Sequence, residues 1–562
     1  MSEDKKFPTN KQKIKITYDG NSQFMLDQSS SLSEALLLLP KRSPQPVAAI
    51  VNGELQELTY RLYTDSNIVW LDYQSTDGNR IYKRSIIFLL LVACTHLFPK
   101  YRLKICHSLQ SSTYCTLTGK DSLSSANIAS IEEEMKRLVA TDEPIIRNQV
   151  SREDAISFFL SEGKLEKALL LQRRVNNDIN LYTCSGITEY FFGDMASRCG
   201  ILEKFQLLPF DEGFVLCLPS QEESCFSAGP FSQPRQLQAT LKEAGAWDHL
   251  MKLETVSDLN SIIEDGKMNE LTLIAETMHE RKLHKISDDI FADFPKVRLV
   301  LIAGPSSSGK TTFTRRLTIQ FRTLGIRPIA ISMDDYFLNR DNSPVDEKGQ
   351  KDYESIRALD LDLFNKHLDL LISGKEACVP RYDFISGSRS KDSVPCHLQE
   401  DQLIIIEGIH ALNEQMSIRV PQQNKRKIYV SALTHLNMDD YTPIPTSDNR
   451  LYRRIIRDMH CRNISPEETI MRWPSVREGE TKNIFPFQEQ ADFFFNSALI
   501  YEMPTLRTLI EEELAKIKPP SPAYIEAKRL LRFIQYFTPA QTDQIPKNSI
   551  LQEFIGDSCF ID

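Results

Sequence analysis

The stretch "LVLIAGPSSSGKTTFTRRL", Leu299 to Leu317, constrains the fold more than any other part of the chain. An apolar run reads as a buried strand, a glycine-bounded loop follows, and an amphipathic basic segment reads as a helix. Gly304, Pro305, Ser306, Ser307, Ser308, Gly309, Lys310 and Thr311 satisfy G-x-x-x-x-G-K-[ST] in the strand-loop-helix setting that gives this motif its meaning. The glycines let backbone N–H groups wrap a phosphate, and the helix N-terminus adds the positive end of its dipole. Lys310 is placed to reach the β- and γ-oxygens, and Thr311 offers a hydroxyl to Mg²⁺.

Such a loop serves kinases, GTPases and motors alike, so the strands that follow must distinguish them. "RPIAISMDDYF" predicts a strand with Asp334 and Asp335 at its carboxyl edge, where an open parallel sheet presents its ligands. One carboxylate there can accept a proton from a substrate hydroxyl. "QLIIIEGIHAL" predicts a second buried strand ending in Glu407, an acid able to hold Mg²⁺ as a Walker-B carboxylate does. No N-K-x-D signal for guanine follows, which disfavours a GTPase. "DNRLYRRIIRDMHCR" sets Arg450, Arg453, Arg454 and Arg457 at helical spacings. That pattern fits either a solvated face or a lid over transferring phosphates, and after a phosphate loop and two acidic strand ends the lid is expected.

The chain has 562 residues, too many for one core, and three or four domains are expected. Its 41% hydrophobic and 25% charged residues are those of a folded globular protein. The longest apolar run, Ile86 to Cys94, is too short to span a bilayer, and the first residues lack a signal-peptide core, so a cytoplasmic protein without membrane association is expected. Eleven cysteines with no C-x-x-C pair point to reduced thiols, and a net charge of −9 gives no global attraction to nucleic acid.

Ahead of the phosphate loop, "KIKITYDG", "SLSEALLLLP", "PVAAIVNGELQEL" and "NIVWLDY" read as strands and one helix of a small β-grasp unit. From Leu103 to about Leu218 strand-like and helix-like pieces alternate as a second α+β unit. A linker and helical region then leads to the phosphate loop. "HLFPKYRLKICHSL", "PIIRNQVSREDAISFF" and "FQLLPFDEGFVLCLP" make this half resemble the TGS and editing-type domains of threonyl-tRNA synthetase. The resemblance implies four zinc-type ligands in an H-x-x-x-H pair and a later C-x-x-x-H. Those positions fall here on Arg84, Phe88, Phe191 and Met195, so a binding, docking or regulatory role is expected in place of hydrolysis, and an RNA- or ribosome-associated adaptor is the alternative reading. His96, His107, Cys106 and Cys115 are read as structural.

The later half resembles the uridine kinase and phosphoribulokinase family, in order, through "GPSSSGKTT", "SMDDYF", "DYESIRALDLDLF", "VPRYDFISGSR", "IIIEGIHAL" and "DNRLYRRIIRD". The resemblance implies a P-loop kinase that uses ATP and Mg²⁺ to phosphorylate a small molecule, foremost a nucleoside at its 5'-hydroxyl. ATP would lie on Gly304 through Thr312. Asp334 would be the general base, with Lys310, Arg454 and Arg457 catalytic, and Thr311 and Glu407 would serve Mg²⁺ with Asp334 as a further candidate. Glu354, Tyr382, Arg389, Arg454 and Arg457 would meet the substrate. Two positions depart from the family. Gly387 stands where the family has the histidine that reads the pyrimidine edge, and Ile464 where it has an arginine two positions after the retained Arg462. Trp473, Arg477, Glu480 and Lys482 follow in a polar and aromatic stretch whose role the sequence leaves open, and Phe493, Phe494 and Phe495 are read as packing. The expected architecture is multidomain α+β and α/β: a TGS-like β-grasp unit over 12–75, an editing-like α+β unit over 79–220, a linker and helical region over 221–296, a P-loop kinase unit with a parallel sheet over 297–515, and a helical extension over 516–562.

Overall fold

The computed structural model describes residues 12–109, 112–219, 233–345, 349, 351–352, 355–383, 386–390 and 392–560. Glu354 and most of the linker segment "CFSAGPFSQPRQLQ" lie outside the described residues.

The alternation of Ile14 and Ile16, both buried, builds strand Lys13–Tyr18. It pairs antiparallel with Ser22–Asp27 and parallel with Ser66–Leu71, and Ala48–Val51 and Glu54–Glu57 complete a five-stranded sheet. Helix Leu32–Leu37 starts at a capping box: Ser31 Oγ accepts the Glu34 N–H and the Glu34 carboxylate accepts the Ser31 N–H. This is the mixed-sheet order of a β-grasp unit.

The apolar run Ile86–Cys94 lies inside the 22-residue helix Thr76–Leu97 and is buried throughout. That run is apolar all round because protein packs on it from every side. No described helix is long and apolar enough to cross a membrane. Beyond it stand a four-stranded antiparallel sheet (Arg102–Leu109, Ser112–Thr118, Gln206–Phe210, Gly213–Cys217) and a three-stranded one (Ile146–Ser151, Asp178–Cys184, Ile187–Tyr190). One apolar core runs from Ile14 to Leu218, so the two N-terminal units fold as one packed body.

Within that core the four metal-ligand positions do converge, filled by other chemistry. Phe88 and Phe191 meet edge to face at 5.3 Å, Met195 is fully buried, and Arg84 Nη1 donates to the Asp194 carbonyl at 2.5 Å. His96 bonds the Glu134 carboxylate at 2.8 Å, and His107 bonds Gln238 at 2.8 Å, a packing role for each.

The P-loop strand Leu299–Ala303 is the middle of a five-stranded parallel sheet, ordered Ile329–Ser332, Ile404–Glu407, Leu299–Ala303, Lys425–Ser431, Phe493–Asn496. Its central strands Leu299–Ala303 and Ile404–Glu407 are continuous apolar runs because both faces of the sheet are covered there. Helices Val256–Glu264 and Met268–Phe291 and the C-terminal helix Tyr524–Ile534 share one core with Phe313, Leu317 and Leu451. The helical region and the extension are therefore structural parts of the body built on the parallel sheet. The two halves are clamped together: Arg102 binds Asp440 twice at 2.7 Å, Asn437 Nδ2 donates to the Ile105 carbonyl at 2.7 Å, and buried Lys167 sits between Glu189 and Asp439.

Candidate active site

Leu299–Ala303 is wholly buried, and the loop leaving it must pass beside the strand Lys425–Ser431. A Cβ on Gly304 would stand 2.0 Å from the Val430 carbonyl oxygen, so only glycine fits there. Gly309 has φ +82° and opens helix Lys310–Thr323, turning its first N–H groups toward the loop. Ser307 Oγ and Ser308 Oγ are buried with no hydrogen-bond partner among the described residues, as hydroxyls lining a phosphate cradle would be.

Lys310 lies within electrostatic reach of Glu407 and Asp334. Glu407 ends its strand, in register with Ile302 and Ser332, and its Oε1 accepts from Thr311 Oγ1 at 2.9 Å. Burial raises the Glu407 pKa, partly offset by Lys310 and by that hydrogen bond. Burial also raises Asp334, with Lys310 opposing and Asp335 adding to the rise, and burial lowers Lys310 against the pull of Glu407 and Glu553. Asp334 is open to the cleft although protein crowds around it. A hydroxyl beside carboxylates is a donor set that Mg²⁺ accepts, since that ion keeps water and phosphate oxygens as its other ligands. Among the described residues no three His, Cys, Asp or Glu side chains are grouped to cage an ion.

The strand ends at Ser332, and Asp334 and Asp335 lie on a 3₁₀ turn, Met333–Tyr336, just beyond it. This corrects the expectation of a strand edge: Ser332 Oγ accepts the Asp334 N–H and starts the turn. The two carboxylates diverge because residues on a 3₁₀ turn point about 120° apart. Asp334 faces Lys310, while Asp335 Oδ1 accepts the Tyr382 N–H at 3.1 Å.

Tyr382 pairs across a two-residue ladder with Arg389 and stands 5.7 Å from Phe337. Arg389 donates to the Phe337 and Tyr336 carbonyls and to Asp360, which fixes the acidic turn. Gly387 has φ +68°, and a Cβ there would stand 2.3 Å from Arg340 Cδ. The Arg340 side chain thus occupies the room a side chain at 387 would need.

The four arginines of helix Thr446–Arg462 share one side of it and differ in depth: Arg450 and Arg453 are buried, and Arg454 and Arg457 half-buried. Arg450 and Arg453 are among the largest fully buried side chains. Arg450 Nε donates to the Ser306 carbonyl at 2.9 Å, pairs with Glu480, and lies 5.3 Å from the Trp473 ring. Arg453 bonds Glu502 at 2.6 Å and the Ser497 carbonyl at 2.7 Å. Arg454 Nη1 donates to Ser306 Oγ at 2.7 Å, and Arg457 lies within electrostatic reach of Lys310. The helix is a fixed wall held by two buried ion pairs, so any clamping comes from the Arg454 and Arg457 side chains. Arg453→Ala is expected to cost about 3–5 kcal/mol, seen as a lower Tm, because it strands Glu502 as a buried unpaired charge.

The site also contains two acids that the sequence did not assign to it. Glu480 Oε1 accepts the Ser306 N–H at 2.9 Å and its Oε2 accepts from Arg477 at 2.8 Å, so the polar stretch after the arginine helix braces the phosphate loop. Glu553 Oε2 accepts the N–H and the hydroxyl of Thr312, at 3.1 and 2.8 Å. Neither has a periodic or motif signal.

Residues 299–502 match the model of the Phosphoribulokinase / Uridine kinase family. The uridine kinase of Bacillus pumilus is 31% identical over 192 residues, covering 34% of this chain and 82% of that enzyme. The chain belongs to this family. Another relative in the family, the uridine kinase of Bacillus subtilis, is 29% identical over 218 residues and is covered to 94%. The N-terminal part is similar to threonine–tRNA ligases: that of Symbiobacterium thermophilum is 27% identical over 197 residues, 35% of this chain and 30% of the ligase. The chain spans less than a third of the ligases it matches. Family membership makes the later half a P-loop phosphotransferase unit, and it fits the sheet order and the cradle found above.

Proposed function

We propose that the protein transfers the ATP γ-phosphoryl group to a hydroxyl of a small acceptor, foremost the 5'-hydroxyl of a nucleoside. The observation that carries this reading is the position of Asp334, which faces Lys310 across a cleft that Thr311 and Glu407 also line, whereas Asp335 is tied to the Tyr382 backbone. In this reading the N–H groups at the start of helix Lys310–Thr323 hold the phosphates, and Lys310 bridges the β- and γ-oxygens. Asp334 accepts the proton of the attacking hydroxyl, and Arg454 and Arg457 meet the charge on the transferring group. Thr311 and Glu407, with Asp334 alongside, would hold Mg²⁺, which when bound neutralises phosphate charge. Arg389 orients the acidic turn, and Tyr382 offers an aromatic face to the acceptor.

Gly387 bears on the choice of acceptor, because the Arg340 side chain fills the room a side chain at 387 would need. A screen of ADP release over nucleosides and sugar phosphates is therefore the test. A single acceptor giving saturable turnover is expected, and silence across the panel from folded, ATP-binding protein would refute the reading.

A second reading, an RNA- or ribosome-associated adaptor, is favoured by the similarity of the N-terminal part to threonine–tRNA ligases. It would show as tRNA or ribosome binding that weakens with salt and proceeds without acceptor-stimulated ATP turnover.

A further inference from the structure

Four residues of the segment 545–560, Ile550, Glu553, Phe554 and Phe560, touch the phosphate loop or the helices beside it. Glu553 Oε2 accepts both the N–H and the hydroxyl of Thr312, the third residue of the P-loop helix. Ile550 packs on the loop itself: a Cβ on Gly309 would lie 2.4 Å from Ile550 Cγ2. Phe554 is fully buried with Arg453 over its ring at 5.0 Å, and Arg315 of the P-loop helix donates to the Phe560 carbonyl at 2.6 Å. The segment is thus seated on the cradle, held by the P-loop helix on one side and the arginine helix on the other.

The first N–H groups of that helix are the groups that receive phosphate oxygens, because no carbonyl precedes them within the helix. A carboxylate on the third of them is an anion already in the cradle. Its charge also reaches Lys310 and Glu407, the cation and acid that line the same cleft. An incoming polyphosphate and Glu553 compete for one N–H and one hydroxyl, and their like charges oppose joint occupancy.

We propose that Glu553 sets the affinity of the nucleotide site by occupying its anion position, so that the segment 545–560 is an internal competitor which nucleotide must displace. The inference rests on the reading of the loop as the ATP site. When the competent state is only a fraction of the population, apparent affinity falls by that fraction, and freeing the cradle restores it. The segment is also tethered to the N-terminal half, since the Tyr536 hydroxyl, just upstream, bonds that of Tyr190 at 2.6 Å.

The test is calorimetric titration of Mg·ATP into the wild-type chain, E553A and the isosteric E553Q, with hydrogen exchange on the unmodified protein. E553A is expected to bind ATP about tenfold more tightly, within the usual range of coupling between two sites, and E553Q to bind more tightly by a smaller factor. ATP is expected to speed exchange of the 549–556 amides in the wild type. A structural brace would instead leave those amides as protected as before and the variants' affinity unchanged or weaker, and that result would overturn the proposal alone. If E553A, with its cradle freed, binds no ATP, the nucleotide reading falls and the proposal falls with it. Should E553A fail to fold, E553Q and the exchange measurement decide.

Discussion

Asp334→Asn is expected to lower kcat by about 10²- to 10⁴-fold while ATP still binds, the range for loss of a positioned general base. Asp335→Asn is expected to stay within about tenfold, because Asp335 spends its Oδ1 on the Tyr382 N–H and touches no reacting atom in this reading. The pH dependence separates the two further. Burial raises the Asp334 pKa, Lys310 opposes the rise and Asp335 adds to it, so the base becomes protonated at a higher pH than an ordinary aspartate. Activity should therefore fall as pH drops through that raised value, and the fall should vanish in Asp334→Asn. Stability moves the other way. A carboxylate whose folded pKa is raised costs stability above its unfolded pKa, so Asp334→Asn should melt no lower than wild type at neutral pH. Equal catalytic losses in the two variants would show that the base has been assigned to the wrong residue.

The parts of this molecule legible in the sequence are those written locally. Ile14 and Ile16 alternate and Ser31 caps, which is enough for a β-grasp unit, and the glycines at 304 and 309 leave one reading of the loop between a buried strand and a helix. Of the positions that the resemblance to threonyl-tRNA synthetase picks out, Phe88 meets Phe191, and Arg84 reaches the carbonyl of Asp194, next to Met195. Other features depend on contacts far along the chain. Glu480 reaches Ser306 across 174 positions and Glu553 reaches Thr312 across 241, and neither distance leaves a trace in periodicity. The arginine helix shows the same limit: spacing put Arg450, Arg453, Arg454 and Arg457 on a helix, but only the packing of Glu480, Glu502 and Phe554 reveals that the first two are buried anchors. The apolar run before Asp334 and Asp335 predicts a strand ending at the pair, whose alternation would send them to opposite sides, and the 3₁₀ turn capped by Ser332 produces the same divergence.

Lys310→Ala is expected to lower kcat/KM by about 10³-fold, near the top of the range for removing one preorganised charge from a transferring group. It should also abolish measurable ATP binding. The reason lies in what Lys310 opposes as well as in what it would bind. It restrains the raised pKa values of both Glu407 and Asp334, and its removal leaves two carboxylates facing each other in a crowded cleft. Both pKa values should then rise further, and the folded state should hold more protons than before. Stability consequently falls as pH rises above the unfolded carboxylate range, so the gap in Tm between Lys310→Ala and wild type should be wider at pH about 7 than at pH about 5. Lys310→Arg is not expected to rescue, since a planar guanidinium cannot take the place of a compact ammonium whose Nζ lies 3.1 Å from the Pro305 carbonyl. A Lys310→Ala variant that binds ATP as tightly as wild type would remove this loop as the nucleotide site, whatever the acceptor proves to be.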